Sequence, residues 1–207
     1  MNKKKSTMKS VLNNTLIKQT DIDAIVQARH GAAHTILGLR VLTNSSHLVI
    51  SAFIPSADSI AIIDKKTKKQ LAILTQVDPA GFFMAKLRRK KHFAYQLKVT
   101  CDGQTKILED AFAYSMDSGT SILGEMDIHL LNEGNHQKPY QKLGAHSQII
   151  RDKNGQNVSG ITFSLWAPNA SSVAVIGDFN DWDGRIHPME NIVHHGSRSG
   201  YWTIFIP

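Results

Sequence analysis

An internal repeat constrains this chain more than any other feature. Residues 53–63, F-I-P-S-A-D-S-I-A-I-I, line up with residues 166–176, W-A-P-N-A-S-S-V-A-V-I. Further on, residues 81–87, G-F-F-M-A-K-L, line up with residues 200–206, G-Y-W-T-I-F-I. Each copy runs strand, proline turn, strand, loop, and a strand opening Gly-aromatic-aromatic. One supersecondary unit used twice predicts two related modules. Apolar residues alternate with others at Leu48, Ile50 and Ala52 and at Phe163 and Leu165, the period of a strand. Further strands are expected over 59–63, 70–74, 82–87 and 93–100, and over Val173 to Ile176, separated by turns at Pro55–Asp58, Asp78–Gly81 and Pro168-Asn169. Short strands at regular spacing predict an all-β chain of two immunoglobulin-like β-sandwich modules.

Two short helices interrupt this pattern. Thr20-Asp21-Ile22-Asp23 reads as an N-cap with an acid at the third helical position, and Gly31 is placed to stop the helix. A second helix is expected from about Glu125 to Glu133, closed by Gly134. The expected organisation is a disordered tail over 1–18, a first sandwich with its leading helix over 19–114, a helical linker over 115–146 and a second sandwich over 147–207. In the first copy the Gly-aromatic strand is followed by Phe93 to Val99, Asp102-Gly103 and Glu109-Asp110. In the second copy the sequence stops at Pro207. The second module is therefore expected to be truncated, as a piece of a longer protein or a damaged gene product.

With 42% hydrophobic and 20% charged residues the 207-residue chain is of globular composition. It has no apolar run long enough to span a bilayer and no signal-peptide pattern. Cys101 is alone, which suits a reducing cytoplasm. The formal charge is +7, carried largely by Lys3–Lys5, by Lys65, Lys66, Lys68 and Lys69, and by Arg88 to Lys91. These clusters lie in separate loops with no nucleic-acid motif, so the reading is a solvated tail and two basic hairpin turns, with no nucleic-acid partner. His30 and His34 have helical metal spacing, but Gly31 lies between them and no Glu accompanies them. Asp178, Asp181 and Asp183 lack a calcium-loop pattern. No metal and no organic cofactor is expected.

The stretch F-S-L-W-A-P-N-A-S-S-V-A-V-I-G-D-F-N-D-W, residues 163–182, resembles the β-sandwich module that precedes the catalytic barrel in branching enzymes of the alpha-amylase superfamily. His34-Thr35-Ile36-Leu37-Gly38 resembles the entry to the first module of bacterial glycogen branching enzymes, with Ala33 where that family usually has proline. Leu123 to His146, with its Glu-Gly-Asn-His and Leu-Gly-Ala-His segments, is similar to the linker of the same family. The resemblance covers most of residues 34–207.

It implies the N-terminal, non-catalytic region of a cytoplasmic 1,4-alpha-glucan branching enzyme, a glycosyltransferase of glycogen biosynthesis. Such an enzyme forms alpha-1,6 branches by transferring alpha-1,4-glucan segments through retaining double displacement between two carboxylates. Those carboxylates lie in a (β/α)8 barrel of about 250 residues, so this chain alone is expected to be inactive and no catalytic residue is assigned. The implied partners are alpha-glucan and, in cis, the barrel. For sugar contact, an exposed aromatic beside amide and carboxylate groups is the fitting composition, and Trp182 with Asn180 and Asp181 has it. Packing within the module or against the barrel is the other reading of the same loop. Trp166 and Trp202 are read as structural. Rival functions are a stand-alone alpha-glucan-binding or regulatory module, and another superfamily enzyme such as a debranching enzyme.

Overall fold

The computed structural model describes residues 17–42, 47–114 and 121–207. The tail expected over 1–18 falls outside them but for its last two residues. The chain divides into two compact units: the residues up to Gln27 with Thr35–Ala113, and Ala28–His34 with Tyr114–Pro207.

Among the described residues the first unit holds eight strands: β1 (Gly38–Val41), β2 (Leu48–Phe53), β3 (Ser59–Asp64), β4 (Gln70–Ile73), β5 (Thr75–Asp78), β6 (Phe82–Leu87), β7 (Tyr95–Cys101) and β8 (Gln104–Leu108). They form two antiparallel sheets in the orders β1-β2-β6-β5 and β4-β3-β7-β8. Leu48, Ile50, Phe83 and Leu87 from one sheet and Ile60, Ile62, Leu97 and Val99 from the other share one buried cluster. This is the expected sandwich, driven by the apolar face of each sheet. Three strands of this unit were not anticipated: β1, β5 and β8. β5 reads T-Q-V-D and all five residues of β8 are exposed, so neither shows the apolar alternation that marks a strand.

The leading helix α1 (Gln19–Val26) is capped two residues earlier than expected. Lys18 is the N-cap, and its amide donates to Asp21 Oδ2 at 3.2 Å. Thr20 therefore lies inside the helix, and Asp21 supplies the third-position acid in place of Asp23. The helix ends at Gln27, before Gly31, with Ala28 left-handed at φ 55°.

The second unit has one sheet among the described residues. It comprises β9 (Gly144–Arg151), β10 (Asn157–Trp166), β11 (Glu190–His194) and β12 (Ser197–Ile206), in the order β11-β12-β10-β9. The strand expected over Val173 to Ile176 does not form; this stretch makes one isolated bridge, Ala174 to Pro188. Two bonds close that bridge, Val175 N to His187 O at 3.0 Å and Met189 N to Val173 O at 2.8 Å, and no further rung among the described residues extends it into a strand. In the first unit the corresponding strand, β3, pairs along its length with β7.

The two copies share their turn chemistry. Ile54 donates its amide to Gly81 O at 2.9 Å, and Ala167 donates to Gly200 O at 2.8 Å. Gly81 and Gly200 have φ +106° and +83°. A Cβ at Gly81 would lie 2.5 Å from Pro55 Cα, and one at Gly200 would lie 2.8 Å from Pro168 Cα. The Gly that opens each aromatic strand is thus required by the proline turn packed on it.

Three contacts hold residues 28–34 within the second unit. Ser172 Oγ donates to Ala28 O at 3.3 Å, Arg198 Nη2 donates to Gly31 O at 3.2 Å, and His34 Nε2 meets Glu190 Oε1 at 3.2 Å.

The linker helix α2 (Glu125–Asn132) lies close to its expected span, with Gly134 at φ +72° just beyond the Glu133 C-cap. Its Ile128 joins Leu123, Ile192 and Tyr201 in a buried cluster, so the helix is fastened to the sheet of the second unit. Asp127 organises the remainder. It accepts from the Gly124 amide at 2.9 Å and Lys142 Nζ at 3.0 Å, and contacts His136 Nε2 at 3.1 Å. Burial works to raise its pKa, but these donors outweigh it and hold the carboxyl below the usual range. Asp127→Ala should lower the stability of the second unit by about 2 kcal/mol, while Asp127→Asn, which can still accept from Gly124, should cost about half as much. Urea unfolding read by tryptophan fluorescence checks this ordering; equal midpoints for the two variants would argue against it.

The two basic loops are not separate in space. β3 and β7 are antiparallel with Asp64 opposite Tyr95, so the turn after β3 and the loop before β7 share one end of the first sandwich. Lys65 N donates to Ala94 O at 3.0 Å, and Arg89 Nη1 reaches Asp64 Oδ2 at 3.1 Å.

Candidate functional site

The loop at residues 177–187 is built around one buried amide. Asn180 is 3% exposed. Its Oδ1 accepts from Gly177 N at 2.9 Å, and its Nδ2 donates to Val175 O at 2.8 Å and to His187 Nδ1 at 3.0 Å. Burial pushes His187 down to about 4, so its ring is neutral near pH 7 and Nδ1 can accept that bond. Gly177 makes room for the ring beside it: a Cβ there would lie 2.6 Å from Phe179 Cε1.

The loop then turns Trp182 outward. Asp178–Asn180 forms a single 3-10 turn. The Trp182 amide donates to Gly177 O at 3.0 Å, and its Nε1 donates to Asp178 Oδ1 at 2.9 Å. Asp181 and Trp182 are both left-handed, at φ 52° and 59°. Such a conformation is uncommon for a bulky residue and stores about 1–2 kcal/mol. The Trp182 side chain is nevertheless 64% exposed. Its one polar atom is used inside the loop, leaving the ring to solvent. Phe179 is 56% exposed and lies 5.5 Å from the His187 ring, centroid to centroid. Asp183 is clamped by Arg185, Oδ2 to Nη2 at 2.6 Å, and that bond holds its carboxyl below the usual range.

Of the three residues singled out in the sequence, Trp182 and Asp181 are at the surface, and Asn180 is inside with its amide fully committed. Asn180 shapes the loop and does not offer its side chain to a ligand. Trp202 is buried, as a structural role requires, and donates Nε1 to Ala167 O at 3.0 Å. Trp166 departs from that reading: it is 59% exposed, with its ring 6.5 Å from that of Tyr201. Its counterpart in the first copy, Phe53, is buried, so the repeat carries no signal of this exposure. Among the described residues no group of three His, Cys, Asp or Glu is placed to hold a metal.

Comparison with known proteins gives two family matches. Residues 18–112 match the model for the N-terminal domain of alpha-1,4-glucan branching enzyme GlgB. Residues 142–207 match carbohydrate-binding module 48, the isoamylase N-terminal domain. Among solved structures, the catalytic module of SpuA, a glycogen-degrading pneumococcal virulence factor, is 16% identical over 52% of this chain and 16% of its own, with a TM-score of 0.35. The pullulanase SAP of Group B Streptococcus in complex with maltotetraose is 22% identical over 38% of this chain and 11% of its own, with a TM-score of 0.32. Pullulanase from Paenibacillus barengoltzii is 12% identical over 35% of this chain and 11% of its own, with a TM-score of 0.29. This chain therefore spans only a small part of the length of these structures. The chain thus carries, in that order, a match to the GlgB N-terminal domain and a match to carbohydrate-binding module 48, and together these support reading it as the N-terminal region of an alpha-1,4-glucan branching enzyme.

Proposed function

We propose that this region belongs to an enzyme that transfers alpha-1,4-glucan segments to form alpha-1,6 branches in glycogen. The transfer is a retaining double displacement on carboxylates of a barrel outside this chain, acting in the cytoplasm. Within it, the second unit holds alpha-glucan, and Trp182 with Asp181 makes the contact. The observation that carries this reading is the presentation of Trp182: exposed, strained in its backbone, and fixed through Nε1. Backbone strain held in place by its surroundings is a mark of functional loops. An indole face without a free donor suits the CH face of a glucose ring, and an exposed carboxylate beside it suits the hydroxyl rim.

Affinity electrophoresis of the 207-residue chain through gels containing glycogen tests the proposal. Trp182→Ala should relieve the retardation about tenfold, the equivalent of about 1.4 kcal/mol. Asp181→Ala should relieve it less. Unchanged retardation in Trp182→Ala, with the fold intact by circular dichroism, would assign the loop to packing instead.

A further inference from the structure

We infer that the basic end of the first unit binds the phosphate backbone of nucleic acid without sequence preference. Eight basic residues meet there: Lys65, Lys66, Lys68 and Lys69 in the turn after β3, and Arg88, Arg89, Lys90 and Lys91 in the loop before β7. The carboxylates at this end already have partners. Asp64 accepts from the Lys66 and Thr67 amides at 3.0 and 2.9 Å and from Arg89 at 3.1 Å, and Glu109 meets Lys65 at 3.0 Å. Lys66, Lys68, Lys69, Arg88, Lys90 and Lys91 are exposed. Most of the chain's formal excess of +7 is thus concentrated on one small surface.

The chemistry favours a phosphate polymer over other anions. The cations stand on two loops, and all six exposed ones but Arg88 are lysines, point charges on flexible stems. A duplex carries one negative charge about every 1.7 Å along its axis, and neutralising it releases condensed counterions. An acidic protein surface mixes both signs and gains less from this arrangement. The aromatic at this end, Phe93, already has the Arg89 guanidinium 4.5 Å from its ring centroid. It is not offered as a base-stacking platform, so binding is by charge and without sequence readout.

Fluorescence anisotropy with a labelled DNA duplex of about 25 base pairs, across about 20 to 200 mM salt, tests this. Binding should weaken with salt with a log–log slope of about −4. K69E/K90E should weaken binding at least about tenfold at low salt and flatten the slope by about 2. R151E/K153E, which reverses two exposed charges of the second unit, should change neither. Melting curves confirm that each variant is folded. Absence of binding at the lowest salt, or equal losses in the two double variants, would overturn the proposal. Polyglutamate bound as tightly as the duplex would overturn it in favour of an acidic protein partner.

Discussion

Replacing Gly200 or Gly81 by alanine is expected to destabilise its own unit by about 2–5 kcal/mol. Two effects add. A left-handed backbone costs a residue with a Cβ about 1–2 kcal/mol, and overpacking a tight contact costs about 1–3 kcal/mol more. The new Cβ would lie 2.8 Å from Pro168 Cα at Gly200, and 2.5 Å from Ile54 O at Gly81. Backbone atoms cannot swing aside as a side-chain tip can. Gly103 isolates the first effect: its φ is +75°, but nothing lies within 4 Å of its Cβ position, so Gly103→Ala should cost only about 1–2 kcal/mol. All three tryptophans, at positions 166, 182 and 202, belong to the second unit. Their fluorescence therefore reads Gly200→Ala, while far-ultraviolet circular dichroism reads both units. If Gly81→Ala and Gly200→Ala cost no more than Gly103→Ala, the proline contact is not what demands glycine.

The second large effect is an opposite response of the two units to mild acid. In the second unit, His34 is pushed down to about 4 by burial, with His30 and Arg198 adding to the shift, and His187 is pushed down to about 4 by burial. The carboxylate of Glu190 beside His34 would favour the imidazolium, but desolvation and the neighbouring cations outweigh it. Between pH 6.5 and 4 the unfolded chain takes up protons at these positions and the folded unit does not, so stability falls as pH falls. The ceiling is about 3 kcal/mol per histidine. The His34 side chain is 26% exposed, so solvent screening trims its share, and a combined loss of about 4 kcal/mol is expected. In the first unit the sign reverses. Asp110 is buried and desolvation raises it to about 6, although Tyr95 and the Phe112 amide pull the other way. The folded unit keeps that proton between pH 6 and 3.8, and so gains stability as pH falls through that window. The lowered carboxylates Asp64, Asp127 and Asp183 act only below about pH 4. Urea unfolding at pH 7.5 and pH 4.5 should show the tryptophan transition moving to lower urea while the remaining dichroism transition holds or rises. His34→Gln with His187→Gln should flatten the tryptophan response; an undiminished response in that double variant would sink the assignment.

Much of this structure could be read from the chain because its determinants are local. Gly81 and Gly200 announce a turn that only glycine fits, and the proline packed on each lies in the aligned half of the repeat. The linker helix was legible for the same reason, from its apolar spacing and Gly134. What escaped depends on partners distant in sequence. β5 and β8 are strands because β6 and β7 supply their ladders, not because their residues favour it. Val173 to Ile176 has strand composition, but it finds only a single bridge, Ala174 to Pro188. In the candidate site, the exposure of Trp182 matched its composition. The burial of Asn180 did not, since an Asn beside a Trp gives no sign of whether its amide is offered or consumed. The meeting of the two basic loops is a matter of strand order and is invisible in a linear count of charge.

The run Ala28–His34 lies, in sequence, between stretches of the first unit, yet it belongs to the second. The two modules are therefore interleaved along the gene. A crossover between residues 114 and 142 would part the second module from the segment whose Ala28 and Gly31 carbonyls and His34 imidazole meet Ser172, Arg198 and Glu190. Exchange by recombination keeps these contacts intact when both modules travel together. On this topology they form a single unit of inheritance, although each has a core of its own.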